Sequence, residues 1–455
     1  MKIAVIGGGG VRSPFLAKSI SQAAGKLGVT EVAFSDIDPV KLDIYGKMAK
    51  KTAYLNAPEL KFTLTTDNSE AISGADYIIT TIRPGGDGMR RAEESLTIAE
   101  GVIAQETVGA AGLSFAMRTY PALEDISLKA RSNAAENFKI FNFTNPVGIV
   151  TEALSEAGYD FQYGICDAPT GMLDSFEKLL GLGEGRLKGE VYGLNHLSFF
   201  ASITLDGRDV TDRIINDPAA YEKTELAFFE PDDIVRRGYI PNEYLYYYFY
   251  PEKALRNMMK AKELRGAVIE RLNRAMTEEL IKLGDTYKNY DEALKIFSKY
   301  HGARENAYMS LETGKKRLKR WAFDPLSPEK GGYASVALRF IEIEKSGVPE
   351  DMILSCPSRG ALGCLKSEET GEFSVTVSAD GVVPHRFENI PEECARIISK
   401  MKKFERAAAK ALRFRSKSAV INALSLNPLV PDYKAEILAE KYIELNRPYV
   451  EYEDN

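Results

Sequence analysis

The chain opens on a short run of apolar residues, Lys2-Ile-Ala-Val-Ile6, that does not alternate with polar ones. Such a run predicts a strand buried on both faces, as in a parallel sheet. Four glycines follow, and then a helix over 13–27. The same rhythm continues. Strands are predicted at 31–35, 61–64, 75–82, 138–143, 161–165 and 190–194, with helices starting near Pro39, after the Gly-rich loop 83–90, over 115–130 and after Thr144-Asn-Pro146. Strand-helix alternation of this kind predicts a doubly wound parallel sheet over residues 1 to about 195.

After residue 196 the pattern changes. Segments 199–205 and 208–210 flank Asp206-Gly207 and read as a hairpin. Helical periodicity then dominates, at 252–284, 288–297, 333–346 and 391–413, with a strand pair at 351–355 and 373–378. We read residues 1–195 as a Rossmann-type dinucleotide-binding domain. Residues 196–455 read as a mixed α+β domain for substrate and oligomerisation. No low-complexity linker separates them, so the active site is expected where they meet.

Composition narrows the function classes. Hydrophobic content of 44% and charged content of 27% are those of an ordinary globular chain. A net charge of -6 with interspersed signs argues against nucleic-acid binding. Four cysteines in 455 residues do not form a disulfide framework and fit a reducing compartment. The N-terminus lacks the longer apolar region of a secretory signal, and no run reaches a membrane span. A cytoplasmic enzyme with no membrane partner is expected.

Candidate chemistry clusters after predicted strands, where open α/β sheets bind ligands. Gly7, Gly8, Gly9, Val11 and Arg12 form a turn that lets backbone approach a diphosphate at a helix N-terminus. Asp36, ending the second strand, suits a ribose 2′-hydroxyl and would repel a 2′-phosphate, which favours NAD. Cys166, with Asp167 beside it, and His196, preceded by Asn195, offer a thiolate and an imidazole for a divalent metal with open coordination positions. Gln105-Glu-Thr107 with Arg118, and Asn142-Phe-Thr-Asn145, are further polar turns. The run Tyr244-Leu-Tyr-Tyr-Tyr248 could furnish a base if a cation lowers one phenol's pKa. Arg83, Arg90, Arg91 and Arg265 are candidate phosphate ligands.

Together these motifs resemble glycoside hydrolase family 4, the NAD- and divalent-metal-dependent glycosidases. The resemblance spans essentially the whole chain. It is carried by Ile6-Gly-Gly-Gly-Gly10, Thr81-Ile-Arg-Pro-Gly-Gly86, Gln105-Glu-Thr107, Asn142-Phe-Thr-Asn-Pro-Val-Gly148, Gly164-Ile-Cys-Asp167, Gly193-Leu-Asn-His196 and Pro241-Asn-Glu-Tyr-Leu-Tyr-Tyr247.

The resemblance implies hydrolysis through NAD-dependent oxidation at sugar C3, elimination across C1 and C2, water addition and re-reduction, with Mn(II) as the usual metal. It implies Cys166 and His196 as metal ligands and Tyr244 as the C2 base, with Tyr246, Tyr247 and Tyr248 close enough in sequence to compete. Asp167 would be the general acid. Arg90 or Arg91, and Arg265, match positions linked to a 6-phosphate, while Glu106 and Asn145 match sugar-facing positions. Arg83 and Asn145 are further candidates at the cofactor.

In the resembling family, Asp after the ligand Cys is typical of 6-phospho-α-glucosidases, so a phosphorylated glucoside or disaccharide is the expected substrate. The tripeptide Asp167-Ala-Pro leaves the anomer open. A homodimer or homotetramer is implied. The competing readings are a family member acting on unphosphorylated galactosides or uronides, a lactate/malate-type dehydrogenase, and an NAD-binding sensor. A dehydrogenase would accumulate NADH, and a sensor would not turn over.

Overall fold

A computed structural model describes residues 1–315, 321–328 and 334–453. Among the described residues thirteen strands form two sheets. They are β1 Lys2–Ile6, β2 Glu31–Ser35, β3 Lys61–Thr65, β4 Tyr77–Thr80, β5 Lys139–Asn142, β6 Gln162–Gly164, β7 Leu187–Leu194, β8 Leu197–Leu205, β9 Arg208–Asp209, β10 Ile240–Pro241, β11 Glu350–Pro357, β12 Thr370–Ser378 and β13 Gly381–Pro384. The first sheet has nine strands in the order β13-β12-β11-β6-β5-β4-β1-β2-β3. Strands β1 to β6 pair in parallel, with β1 between β2 and β4. The order reverses at β1, so a crevice opens beyond the C-terminal ends of β1 and β4.

From Ile3 to Ile6 β1 is apolar because both of its faces are covered. Ile3, Ala4, Val5 and Ile78 have no exposed surface. On one side lies the helix Ser13–Leu27, which begins with Pro14 in its first turn and stops at Gly28 in the left-handed conformation.

The structure departs from the sequence reading in three places. The strand pair 351–355 and 373–378 does form, as β11 and β12, but it joins the first sheet antiparallel at β6 instead of building a separate one. The strand predicted at 190–194 leaves the parallel sheet. It is β7, paired antiparallel with β8. Alternation alone cannot tell which sheet a buried strand enters, since either gives it two covered faces. The periodicity at 252–284 resolves into two helices, Pro251–Lys260 and Arg265–Leu283. The helix predicted at 333–346 runs Ser335–Ser346, and residue 333 lies outside the described residues. The hairpin at Asp206-Gly207 is present as β8–β9.

The second sheet packs against β12. Val191 donates its amide to Ser374 Oγ at 2.9 Å, and a Cβ on Gly371 would sit 2.7 Å from the Gly193 carbonyl oxygen. This close approach needs glycine at 371 and brings the β7–β8 turn over the C-terminal ends of β5 and β6.

Candidate active site

Two chain reversals build the site. Strand β6 ends at Gly164, and Ile165 continues the ladder by donating to the Asn142 carbonyl at 3.0 Å. Cys166 follows, and Asp167 stands at the N-terminus of the helix Ala168–Leu179 without a side-chain hydrogen bond to it. The second reversal is the two-residue turn Asn195-His196 between β7 and β8. His196 there has a φ of 61°, which is strained for a residue with a Cβ. Its surroundings hold it. His196 Nδ1 lies 2.9 Å from Thr107 Oγ1, and its ring stacks on Tyr244 at 3.8 Å between centroids.

Hydrogen-bond counting assigns the tautomer. Thr107 Oγ1 has one proton and donates it to Gln105 Oε1 at 2.9 Å, so toward His196 it accepts. Nδ1 therefore carries the hydrogen, and Nε2 turns its lone pair toward Cys166 Sγ, 3.6 Å away. Burial lowers the imidazole pKa to about 4, which keeps it neutral near pH 7. Burial, followed by the charges of Glu372 and Asp167, pushes the Cys166 thiol up. A neutral imidazole lone pair facing a sulfur is a donor set for a borderline divalent cation, whose charge would favour the thiolate. The two residues thus fit a metal. Among the described residues no cluster of three or more His, Cys, Asp or Glu side chains could enclose one, so the remaining positions would belong to ligands from solution.

Glu372 on β12 anchors this turn from behind. It is buried, and its carboxylate accepts from Asn195 Nδ2 at 3.0 Å and from Ser198 Oγ at 2.8 Å. Asn242 donates its amide to the Ser198 carbonyl at 2.8 Å and accepts from the Tyr244 amide at 3.0 Å. The imidazole and the phenol therefore hang on one hydrogen-bonded frame. Burial raises the Glu372 carboxyl to about 7. Nothing local in the sequence marks Glu372 for this role, because its partners are far away in the chain, and the motifs holding Thr107 and Asn242 do not show their contacts to His196 and Ser198.

Of the tyrosine run, Tyr244 stacks on His196. Tyr246 donates to the Glu312 carbonyl, and Tyr247 and Tyr248 donate to the sulfurs of Met309 and Met401. Burial, then the charge of Glu243, holds the Tyr244 phenol far above its ordinary value.

The arginines separate. Glu106 accepts from Arg83 Nη1 on one oxygen and Arg90 Nη1 on the other, each at 2.9 Å. Burial opposes ionisation of Glu106, but Arg83 and Arg90 together outweigh it and bring the carboxyl to about 2. Arg90 also pairs with Glu94 at 2.8 Å. Arg265 opens the helix Arg265–Leu283 and lies over the Tyr308 ring at 5.8 Å. Arg91 points away, onto Glu270. Arg118 is enclosed by Glu93, Asn446 and the Pro84 carbonyl, so it fastens the Gly-rich loop instead of facing the site.

At the opposite wall, Gly7 has a φ of 103°, and a Cβ there would meet the Thr81 oxygen at 2.5 Å. The Gly9 amide donates to Asp36 Oδ2 at 2.9 Å, and Val11 and Arg12 lead into the first helix. Burial raises the Asp36 carboxyl. The glycine loop and acidic strand end fit the diphosphate and ribose of a dinucleotide. Asn145 follows β5 and is partly exposed.

A glycine loop with an acidic strand end, a Cys–His pair stacked on a tyrosine, and two arginines joined on one carboxylate are the parts of a redox-assisted hydrolase rather than of a two-carboxylate glycosidase. The chain belongs to family 4 of the glycosyl hydrolases. The family 4 glycosyl hydrolase model matches residues 2–182, and that of the family's C-terminal domain matches residues 191–430.

The chain is 27% identical over 462 residues to a probable 6-phospho-β-glucosidase of Bacillus subtilis, covering 99% of this chain and 97% of that one. It is 25% identical over 470 residues to the phospho-α-glucosidase PagL of Clostridium acetobutylicum, covering 98% of each. The solved 6-phospho-β-glucosidase of Thermotoga maritima, with manganese, NAD+ and glucose-6-phosphate, superposes with a TM-score of 0.79 at 26% identity over the full length of both chains.

Proposed function

We propose that this enzyme hydrolyses 6-phosphoglucosides, using NAD and a divalent metal, manganese foremost. The observation that carries the reading is Cys166 Sγ facing His196 Nε2 at 3.6 Å beside the stacked Tyr244 ring. Relatives that act on 6-phosphoglucosides and a neighbour solved with manganese, NAD+ and glucose-6-phosphate support it. When bound, NAD supplies reversible hydride transfer at sugar C3, and the metal supplies Lewis acidity at the C2 and C3 oxygens.

The chain's own residues do the rest. Cys166 and His196 are the metal ligands. Gly7, Gly8, Gly9, Val11 and Arg12 cradle the diphosphate, Asp36 receives the ribose hydroxyls, and Arg83 and Asn145 border the cofactor. Arg90 and Arg265 hold the 6-phosphate as fixed forks, with Arg91 outside this group. Glu106 and Asn145 orient the sugar. Tyr244 removes the C2 proton. Its phenol is costly to ionise in a buried site, so its activity depends on positive charge nearby. Asp167, at a helix N-terminus that opens beside Cys166, protonates the leaving glycosidic oxygen and then deprotonates the water that adds at C1.

Asp167 favours α-linked substrates. Residues 1–195 carry most of the cofactor site and lend Arg90, Glu106 and Asp167 to the substrate, while 196–455 complete the substrate site and serve oligomerisation. Phe414, Tyr433 and Tyr449 are 59%, 81% and 47% exposed and supply apolar surface for a cytoplasmic homodimer or homotetramer.

The test is a panel of α- and β-linked p-nitrophenyl glucosides and galactosides, with and without 6-phosphate. Release from the 6-phosphoglucosides should require NAD and Mn(II), leave no net NADH, and place solvent deuterium at C2 of the product. Full activity without NAD, or protium retained at C2, would sink the mechanism.

A further inference from the structure

The helix Tyr290–Asn306 ends beside the glycine loop. Phe15 donates its amide to the Arg12 carbonyl at 3.0 Å, and its ring centroid lies 4.9 Å from that of His301. Arg304 follows about one turn after His301 on the same helix. Its carbonyl accepts from Arg265 Nη1 at 2.9 Å. Arg304 is thus flanked by the residue that opens the cofactor helix and by the residue assigned to the sugar phosphate.

The guanidinium of Arg304 lacks what such a group requires. Its Nε and Nη1 atoms are shut off from solvent and meet no acceptor, and it makes no ion pair among the described residues. The side chain as a whole stays partly open. Burial and then the charge of Arg12 bring it down to about 10. Asp87 and Glu305 are the carboxylates that face it. Asp87 is engaged by Asn273 Nδ2 at 2.6 Å, and Glu305 lies 3.5 Å from His301 Nε2. Unmade hydrogen bonds and facing cations both disfavour this arrangement. An anion relieves both at once, and a phosphate matches the guanidinium fork.

We propose that Arg304 is a phosphate-binding residue that closes over the diphosphate of the dinucleotide from outside the glycine-loop domain. Its helix meets the first turn of the glycine-loop helix through His301 and Phe15, which favours the diphosphate over the sugar phosphate. The inference rests on NAD being the cofactor and extends that reading to how it is retained. A cofactor returned to its starting state each turnover need not exchange, so a second clamp on it costs the cycle nothing.

The experiment uses the full chain and measures affinity for NAD, ADP, adenosine and glucose-6-phosphate by calorimetry, and NAD dissociation by stopped-flow chase. Arg304→Gln should weaken NAD and ADP by about tenfold or more, the scale of a lost charge-assisted hydrogen bond, with most of the change in dissociation rate. Adenosine and glucose-6-phosphate should change by less than about twofold, since the substitution keeps the Arg304 carbonyl that holds Arg265. Arg304→Lys should fall between, since it keeps the charge without the fork.

Unchanged NAD and ADP affinity, or a loss confined to glucose-6-phosphate, overturns the proposal. If Arg304→Gln does not fold by circular dichroism, the ADP-to-adenosine affinity ratio in Arg304→Lys decides in the same way. Failure of the unaltered enzyme to bind NAD would instead remove the functional reading beneath it.

Discussion

The His196 imidazole and the Tyr244 ring lie face to face, 3.8 Å apart and 12° from parallel. The strained turn at His196 and the short helical segment at Tyr244 come from different parts of the second sheet, yet Ser198 and Asn242 tie them together. Whatever shifts one ring shifts the other.

Tyr244→Phe keeps the stack and removes only the hydroxyl. Turnover of a p-nitrophenyl 6-phosphoglucoside should fall by about 10²–10⁴-fold, the usual worth of a positioned base. NAD and manganese affinities should stay close to those of the unaltered enzyme. Single-turnover kinetics with a C2-deuterated substrate provides the check, and a comparable loss in Tyr246→Phe would move the base elsewhere.

Cys166→Ser replaces the soft ligand we propose by a poor one at the same place. Manganese affinity, followed by the electron paramagnetic resonance signal of the free ion, should drop by at least about tenfold. NAD binding should persist because the glycine loop is untouched. Equal manganese binding in both proteins would remove Cys166 from the ligand set.

Glu372→Gln preserves shape but cannot accept from both Asn195 and Ser198 as a carboxylate does. Losing an outer partner of a metal ligand's turn typically costs about 10–100-fold in metal affinity or activity. We expect the loss in manganese affinity and kcat, with KM little altered. A variant with normal manganese affinity but a lowered unfolding temperature would make Glu372 a packing residue only.

The Glu106 carboxyl is brought to about 2 in the folded protein, against an ordinary 4.5. A depressed folded value means that the ionised form stabilises the fold above about pH 4.5 and that this contribution is lost as pH falls toward 2. Urea unfolding at pH 3, 4 and 6 should therefore show a smaller acid-induced loss in Glu106→Gln than in the unaltered enzyme. Parallel pH profiles for the two proteins would contradict the ion-pair assignment with Arg83 and Arg90.

Much of the fold was legible in the chain. The parallel strands through β6, the hairpin at Asp206-Gly207 and the helix ends at Gly28 and Pro14 follow from apolar period and turn chemistry. Those are local signals, written within a few residues of where they act. The motif strings also picked out Cys166, His196 and Tyr244, which the fold brings together. They did not distinguish Arg90 from Arg91, adjacent on one helix, because only packing against Glu106 turns one inward.

By itself the sequence determined the alternation of elements, the residue types available for chemistry and the resemblance that joins them. Tertiary structure alone decided that β11 to β13 join the first sheet, that Glu372 stands behind Asn195, and that Arg304 comes to Arg12. Each of those relations links residues more than 100 positions apart. A periodic pattern fixes which face of an element is buried, but not which distant element covers it. That choice belongs to the shape and hydrogen-bond complementarity of surfaces that exist only once the chain has folded.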